Sequence, residues 1–165
     1  MKTFMKWPIL ILMAVVTMCF FTACGGDDDK DDPKYQKTEQ GVHHITMTFE
    51  GNTDGWVAEM MVTAMLPDGM GDIFENGERI NTSSAGFSNV SENVPARNYD
   101  FTSTADCNLM TMTFAVIDKG ATEPVTVVLI GEVNGIKKNE KRIPYTPGES
   151  SKTMTFAADG LEFEY

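Results

Sequence analysis

The chain has 165 residues, with 13 basic and 24 acidic side chains and a formal net charge of −11 at pH 7. So acidic a molecule repels nucleic acid and anionic lipid headgroups, which sets nucleic-acid binding aside. Its three cysteines, Cys19, Cys24 and Cys107, are too few for a disulfide scaffold.

Lys2 and Lys6 precede an uncharged apolar run from Trp7 to Ala23, which ends Phe21-Thr22-Ala23-Cys24 and gives way abruptly to Gly25-Gly26-Asp27-Asp28-Asp29-Lys30-Asp31-Asp32. A basic start, a short hydrophobic stretch and small residues before the break describe a removable secretory signal. A membrane-spanning helix needs about 20 apolar residues. Trp7 to Ala23 offers 17, interrupted by Pro8, Thr17 and Thr22. An uncleaved anchor is therefore not expected.

The Ala23-Cys24 junction resembles the lipobox of bacterial lipoproteins, with Phe21 standing where Leu is usual. That resemblance implies a diacylglycerol on the Cys24 thiol and cleavage on its N-terminal side. The alternative is an ordinary thiol behind an ordinary signal peptide. Behind the cysteine, Asp27, Asp28, Asp29, Asp31 and Asp32 resemble the acidic export tag of surface lipoproteins of the Bacteroidetes type. Together these imply an outer-membrane protein exposed on the cell surface, with the membrane as partner through the lipid on Cys24. One acyl chain binds a membrane only marginally, whereas two or more anchor it stably.

The chain thus divides into a signal at 1–23, a lipidated cysteine with an acidic tether at 24–40, and a single domain at 41–165. The tether from Gly25 to Gln40 has six acidic and three basic residues and few apolar ones, so a flexible linker is expected. Without the signal, 142 residues remain, with 11 basic and 24 acidic groups and a net charge of −13. Cys19 leaves with the signal and Cys24 becomes a thioether, so no intramolecular disulfide can form. Cys107 reads as a small buried hydrophobe in a strand; the alternative is a nucleophile with His43 or His44 as base.

From His43 onwards the alternation is that of β-strands. Ile45, Met47 and Phe49 share one face, with His44, Thr46, Thr48 and Glu50 on the other. After a turn at Asn52-Thr53-Asp54-Gly55, Trp56, Ala58, Met60, Val62, Ala64 and Leu66 point one way. Pro67-Asp68-Gly69 ends that strand. Ile73 to Ile80 folds as a short hairpin about Asn76-Gly77. Residues 81 to 96 are ambiguous. Arg97 to Thr104 places Tyr99, Phe101 and Ser103 together, and Cys107 to Asp118 does the same for Met110, Met112, Phe114 and Val116. Val125 to Val133 is almost continuously apolar, the pattern of a central strand. Asn134-Gly135 is another tight turn. Lys152 to Ala158 and Leu161 to Tyr165 read as a closing hairpin about Asp159-Gly160.

Thr-Met-Thr-Phe occurs at 46–49, 111–114 and 153–156, unequally spaced, and each copy places Met and Phe inward and Thr outward. Eight or so strands at this spacing predict an all-β, two-sheet antiparallel β-sandwich, with a small up-and-down β-barrel as the alternative. Val94-Pro95-Ala96-Arg97-Asn98-Tyr99-Asp100-Phe101 resembles the strand that opens with Val-Pro-x-Gly-x-Tyr in transthyretin-like and related immunoglobulin-like sandwiches, with Arg97 in the place of glycine. That resemblance implies fold alone.

Chemistry-bearing clusters are few. Asp68, Asp72, Glu75 and Glu78 gather around glycines and could suit calcium, yet their spacing is not that of a calcium loop. A solvated acidic loop is the plainer reading. His43 and His44 are adjacent, so on a strand they face opposite ways and cannot easily share a zinc ion. No Gly-x-Ser-x-Gly elbow or phosphate-cradling loop is present. Neither an enzyme nor a cofactor is expected. The eight methionines of the mature chain read as packing residues.

For glycan capture the aromatic candidates are Trp56, Tyr99, Tyr145 and Tyr165, with Trp56 read as core. Tyr145, in Pro144-Tyr145-Thr146-Pro147-Gly148, is the expected exposed ring, because flanking prolines favour a loop. Lys137-Lys138-Asn139-Glu140-Lys141-Arg142 reads as a solvated hairpin tip, or else a patch for an anionic partner. The function expected is a lipid-anchored surface module that binds glycan or protein, or serves as an accessory. The alternative is a fimbrial subunit. Fimbrial lipoproteins of these bacteria are cut after an early arginine, and here the first arginine after Cys24 is Arg79.

Overall fold

The computed structural model describes residues 38–80, 94–149 and 151–163. The expected signal at 1–23, Cys24 and the acid run at 27–32 lie outside the described residues.

Strand β1 (His43–Gly51) buries Ile45, Met47 and Phe49 and leaves His44, Thr46 and Thr48 half-buried, as its period of two requires. It is followed by β2 (Trp56–Leu66), the two-residue β3 (Gly69–Met70), β4 (Ile73–Glu75) and β5 (Glu78–Arg79). Beyond these lie β6 (Val94–Pro95), β7 (Tyr99–Ser103), β8 (Leu109–Asp118), β9 (Val125–Val133), β10 (Ile136–Tyr145) and β11 (Met154–Ala157).

They form two antiparallel sheets, one in the order β10-β9-β1-β7-β4-β5 and one in the order β11-β8-β2-β3. Strand β6 also pairs with β2, at the opposite end of that strand from β3. The sheets do not close into a barrel, so the sandwich reading holds. The Val-Pro segment carries the chain from one sheet to the other. Val94 and Pro95 pair with β2, and after three intervening residues Tyr99 begins β7, which pairs with β1.

The core lies between the two inner faces. Ile45, Met47, Ile73, Met110, Met112, Phe114, Leu129 and Phe156 are all buried there. Removing apolar surface from water at roughly 25 cal/mol per Å² is what holds a fold without disulfides together. Two hairpins turn on Asn-Gly pairs, Asn76-Gly77 with φ of 51° and 83° and Asn134-Gly135 with φ of 52° and 74°. Positive φ at both central positions matches the right-handed twist of the flanking strands and favours this dipeptide.

Three expectations need correction. Thr113 faces away from the core as expected but is not solvated: it is 4% exposed, and its hydroxyl lies 3.0 Å from that of Thr155. Met61, Thr63 and Ala115 on the same outer face are also buried. The basic run at 137–142 is not a hairpin tip but the body of β10, a ten-residue strand at the sheet edge. The closing hairpin does not form as read, because Leu161 to Phe163 adopt no strand and the last two residues lie outside the described ones. Asp159 explains this locally, since its Oδ1 accepts from the Leu161 N–H at 3.2 Å and turns the chain away from β11.

Candidate functional site

The outer face of the six-stranded sheet brings together groups far apart in sequence. His44 on β1 stands directly opposite Glu132 on β9 and Thr102 on β7. Asp100 stands opposite Thr46, one step along the same face. Side chains that share a sheet face meet across neighbouring strands, so an imidazole on the middle strand can touch both sides at once. Its Nε2 lies 2.9 Å from Asp100 Oδ1 and its Nδ1 3.2 Å from Glu132 Oε2.

A carboxylate stands at each ring nitrogen, and in the imidazolium form both nitrogens donate, one to each. Burial of the ring is the largest single influence on its pKa and works against the charge. The hydrogen bonds and charges of Glu132 and Asp100 outweigh it together, so the pKa is raised above the ordinary histidine value. Half-buried Thr102 and Thr46 stand beside the trio, opposite His44 and Asp100 respectively. Farther along, Arg142 on β10 reaches over β9 to pair with Glu50 on β1. The two carboxylates sit at opposite edges of the ring and cannot share one ion with it. Among the described residues no three of His, Cys, Asp or Glu are placed to hold a metal. Both ring nitrogens are engaged by carboxylates, so the trio forms one hydrogen-bonded group across three strands.

The other candidates scatter. His43 faces the opposite way, fully buried, with its Nε2 2.8 Å from the Glu39 carbonyl and its backbone N–H donating to Ser103 Oγ at 2.9 Å. Cys107 is also fully buried, and its thiol donates to the Leu109 carbonyl at 3.3 Å. Burial, the largest influence, pushes its pKa up, so the thiolate needed for nucleophilic attack is disfavoured. Of the acidic loop, Asp72 pairs with Arg79 at 2.7 Å and Glu75 with Arg97 at 2.6 Å, while Asp68 and Glu78 are exposed. These four do not converge on a calcium site. The Arg97 guanidinium also lies 4.2 Å from the centre of the Tyr99 ring.

Tyr145 is not the exposed ring expected of it. It is 6% exposed and packs edge-on against Trp56, with ring centroids 6.3 Å apart. Opposite Val125 it takes an inward position of β10, so Pro144 faces outward in its stead. Proline is tolerated there because β10 is an edge strand. Burial raises the phenol pKa to about 12. Trp56 itself is core, as read, and its indole N–H donates to the Glu123 carbonyl at 3.0 Å.

Sequence reasoning missed the partners of His44. It also missed Asp118, whose Oδ1 accepts from the N–H of Gly120 and Ala121, both at 2.7 Å, and whose Oδ2 accepts from that of Gly148 at 2.8 Å. The bond from Gly148 leads those that lower its pKa, and together they tie the loop after β8 to the loop after β10. The Asp-x-Gly at 118–120 was the only local sign.

No family model matches the chain, and no curated protein does. Solved structures do. A DUF4425 family protein from Bacteroides ovatus superposes with a TM-score of 0.63 at 19% identity, covering 75% of this chain and 100% of that one. A domain of unknown function, DUF4425, from Bacteroides vulgatus gives 0.57 at 19% identity, covering 72% and 93%. A protein from Parabacteroides distasonis, solved by NMR in its calcium-bound form, gives 0.52 at 16% identity, covering 79% and 99%. At these identities the likeness is one of fold: the chain is built as the DUF4425 sandwiches of Bacteroides are.

Proposed function

We propose that this protein is a lipid-anchored module of the outer-membrane surface that binds a polar ligand, glycan or protein, through the outer face of its six-stranded sheet. The observation that carries the anchoring is the Ala23-Cys24 junction followed at once by the acid run from Asp27 to Asp32. A fold held in common with Bacteroides and Parabacteroides proteins supports the setting. With Tyr145 buried, a stacking ring there no longer supports glycan capture. The face around His44 takes its place, because its carboxylates and threonine hydroxyls are grouped and accessible.

Calcium is not part of this reading. Asp72 and Glu75 are engaged by arginines, and no described carboxylate trio converges.

Two measurements test the proposal. Mass spectrometry of membrane-extracted protein should find a diacyl or triacyl Cys24; a Cys24→Ala variant that stays membrane-bound with unchanged processing would sink the anchoring. A glycan array and a cell-surface pull-down, both with soluble protein, should give signals that His44→Ala and Asp100→Ala reduce. Binding untouched by either change would remove this face from the proposal.

A further inference from the structure

We infer that His44 is a pH-sensitive staple, holding β7, β1 and β9 together while its imidazole carries two protons and slackening that hold when it carries one. The inference does not depend on any ligand or on lipidation. It starts from two distances. Asp100 Oδ1 lies 2.9 Å from Nε2 and Glu132 Oε2 lies 3.2 Å from Nδ1.

A neutral imidazole has one N–H and one lone pair. It can donate to one of these carboxylates only, and toward the other it presents a lone pair against an anionic oxygen. Losing the proton therefore weakens the attraction on both sides and makes one contact repulsive. The strands on either side are then bridged at this position on one side only.

The surroundings leave the exchange to these three groups. On β9 the facing charge is Glu132, and on β7 it is Asp100, with Thr102 uncharged beside it. On β1 the next outward residue is Thr46, and His43 points to the other face. Lys137 on β10 stands opposite Glu132 but pairs with Glu140 at 2.7 Å. Arg142 pairs with Glu50, Arg79 with Asp72 and Arg97 with Glu75. No described cation other than the imidazolium is bonded to Asp100 or Glu132.

The sign follows from linkage. A histidine whose pKa is raised by folding contributes stability that is fully present below its unfolded value, about 6.5, and is lost as pH rises through the folded value. The burial of the ring opposes this, and the two carboxylates prevail. The same proton loss frees an acceptor on one carboxylate of the outer face, so the surface offered to a polar partner changes as well.

The test is an NMR titration of the His44 ring in the folded protein. The expected midpoint lies above the unstructured-peptide value of about 6.5, with both ring nitrogens protonated at the acid end. Asp100→Asn and Glu132→Gln should each lower it. In parallel, the wild type should lose thermal stability between pH 6 and pH 8.5 relative to His44→Gln, and amide protection in β1 beside residue 44 should fall across the same range. A midpoint at or below the peptide value would overturn the inference. So would a His44→Gln variant with the same pH dependence of stability as the wild type. Should His44→Gln fail to fold, the midpoints of the two carboxylate variants decide alone: unchanged values overturn the staple.

Discussion

Strands β8 and β10 are both ten residues long, and they live in opposite surroundings. β8 lies between β2 and β11 and buries Met110, Met112, Phe114 and Val116 on its core face, with Thr113 and Ala115 buried on the other. β10 is an edge, open along most of its length, with Ile136 59% exposed and only Tyr145 buried. An uncovered strand edge invites pairing with another chain, and lysines along it discourage that. Lys137, Lys138, Lys141 and Arg142 supply the charge here, and three of them pair with Glu140, Glu39 and Glu50. One strand is packed on both faces; the other carries the charge that discourages edge-to-edge pairing.

The contrast can be broken most forcefully at Phe114. Phe114→Ala should cost about 3–5 kcal/mol in chemical denaturation, through lost burial and the cavity left behind. A loss under about 1 kcal/mol would mean that β8 is not the centre of the fold. Thr113→Ala is the sharper probe, since it tests the second face. It removes a bond to the half-buried Thr155 hydroxyl and should cost about 0.5–1.5 kcal/mol, where a solvated threonine would cost less.

At the buried end of β10, Tyr145→Phe should be neutral or slightly stabilising, because the hydroxyl is buried with no hydrogen-bond partner. The same variant should resist alkali better. A phenol raised to about 12 by burial holds its proton more tightly when folded, so stability is lost as pH climbs from the unfolded value of about 10. Equal alkaline melting curves for the two proteins would count against the buried ring. On the open stretch of β10, Lys141→Ala should change stability by no more than about 0.5 kcal/mol. Its cost should appear instead as self-association in concentrated solution, read by light scattering.

What the sequence disclosed follows from which forces are local. In β1, β8 and β9 the inward residues recur every second position, so each burial face is written in the strand itself. The same holds at Asn76-Gly77 and Asn134-Gly135, where the turn needs only its own two residues. β10 has no such signature, because a strand exposed on both faces has no reason to alternate. Tyr145 was misread for a related cause: its prolines described a loop, while its burial comes from Trp56, which lies 89 residues away in sequence. The candidate site was the least legible part. His44 could be placed on an outward face, but Asp100 and Glu132 reach it only through strand register, which no local pattern encodes.

The point where the chain joins the sandwich has a mechanical consequence. Just before β1, the Gly41 N–H donates to the Cys107 carbonyl at 2.9 Å, Asn134 Oδ1 accepts from the Val42 N–H at 3.0 Å, and Lys138 pairs with Glu39 at 2.7 Å. A pull on the chain ahead of Gly41 is therefore delivered lengthwise along β1. Every residue of β1 is in register with β9, and its first half is also in register with β7. Tension along such a strand loads its rungs in parallel, so that many must yield together, whereas an edge strand peeled sideways would surrender them one by one. A domain built this way resists a pull at the start of β1 better than one at an edge strand would.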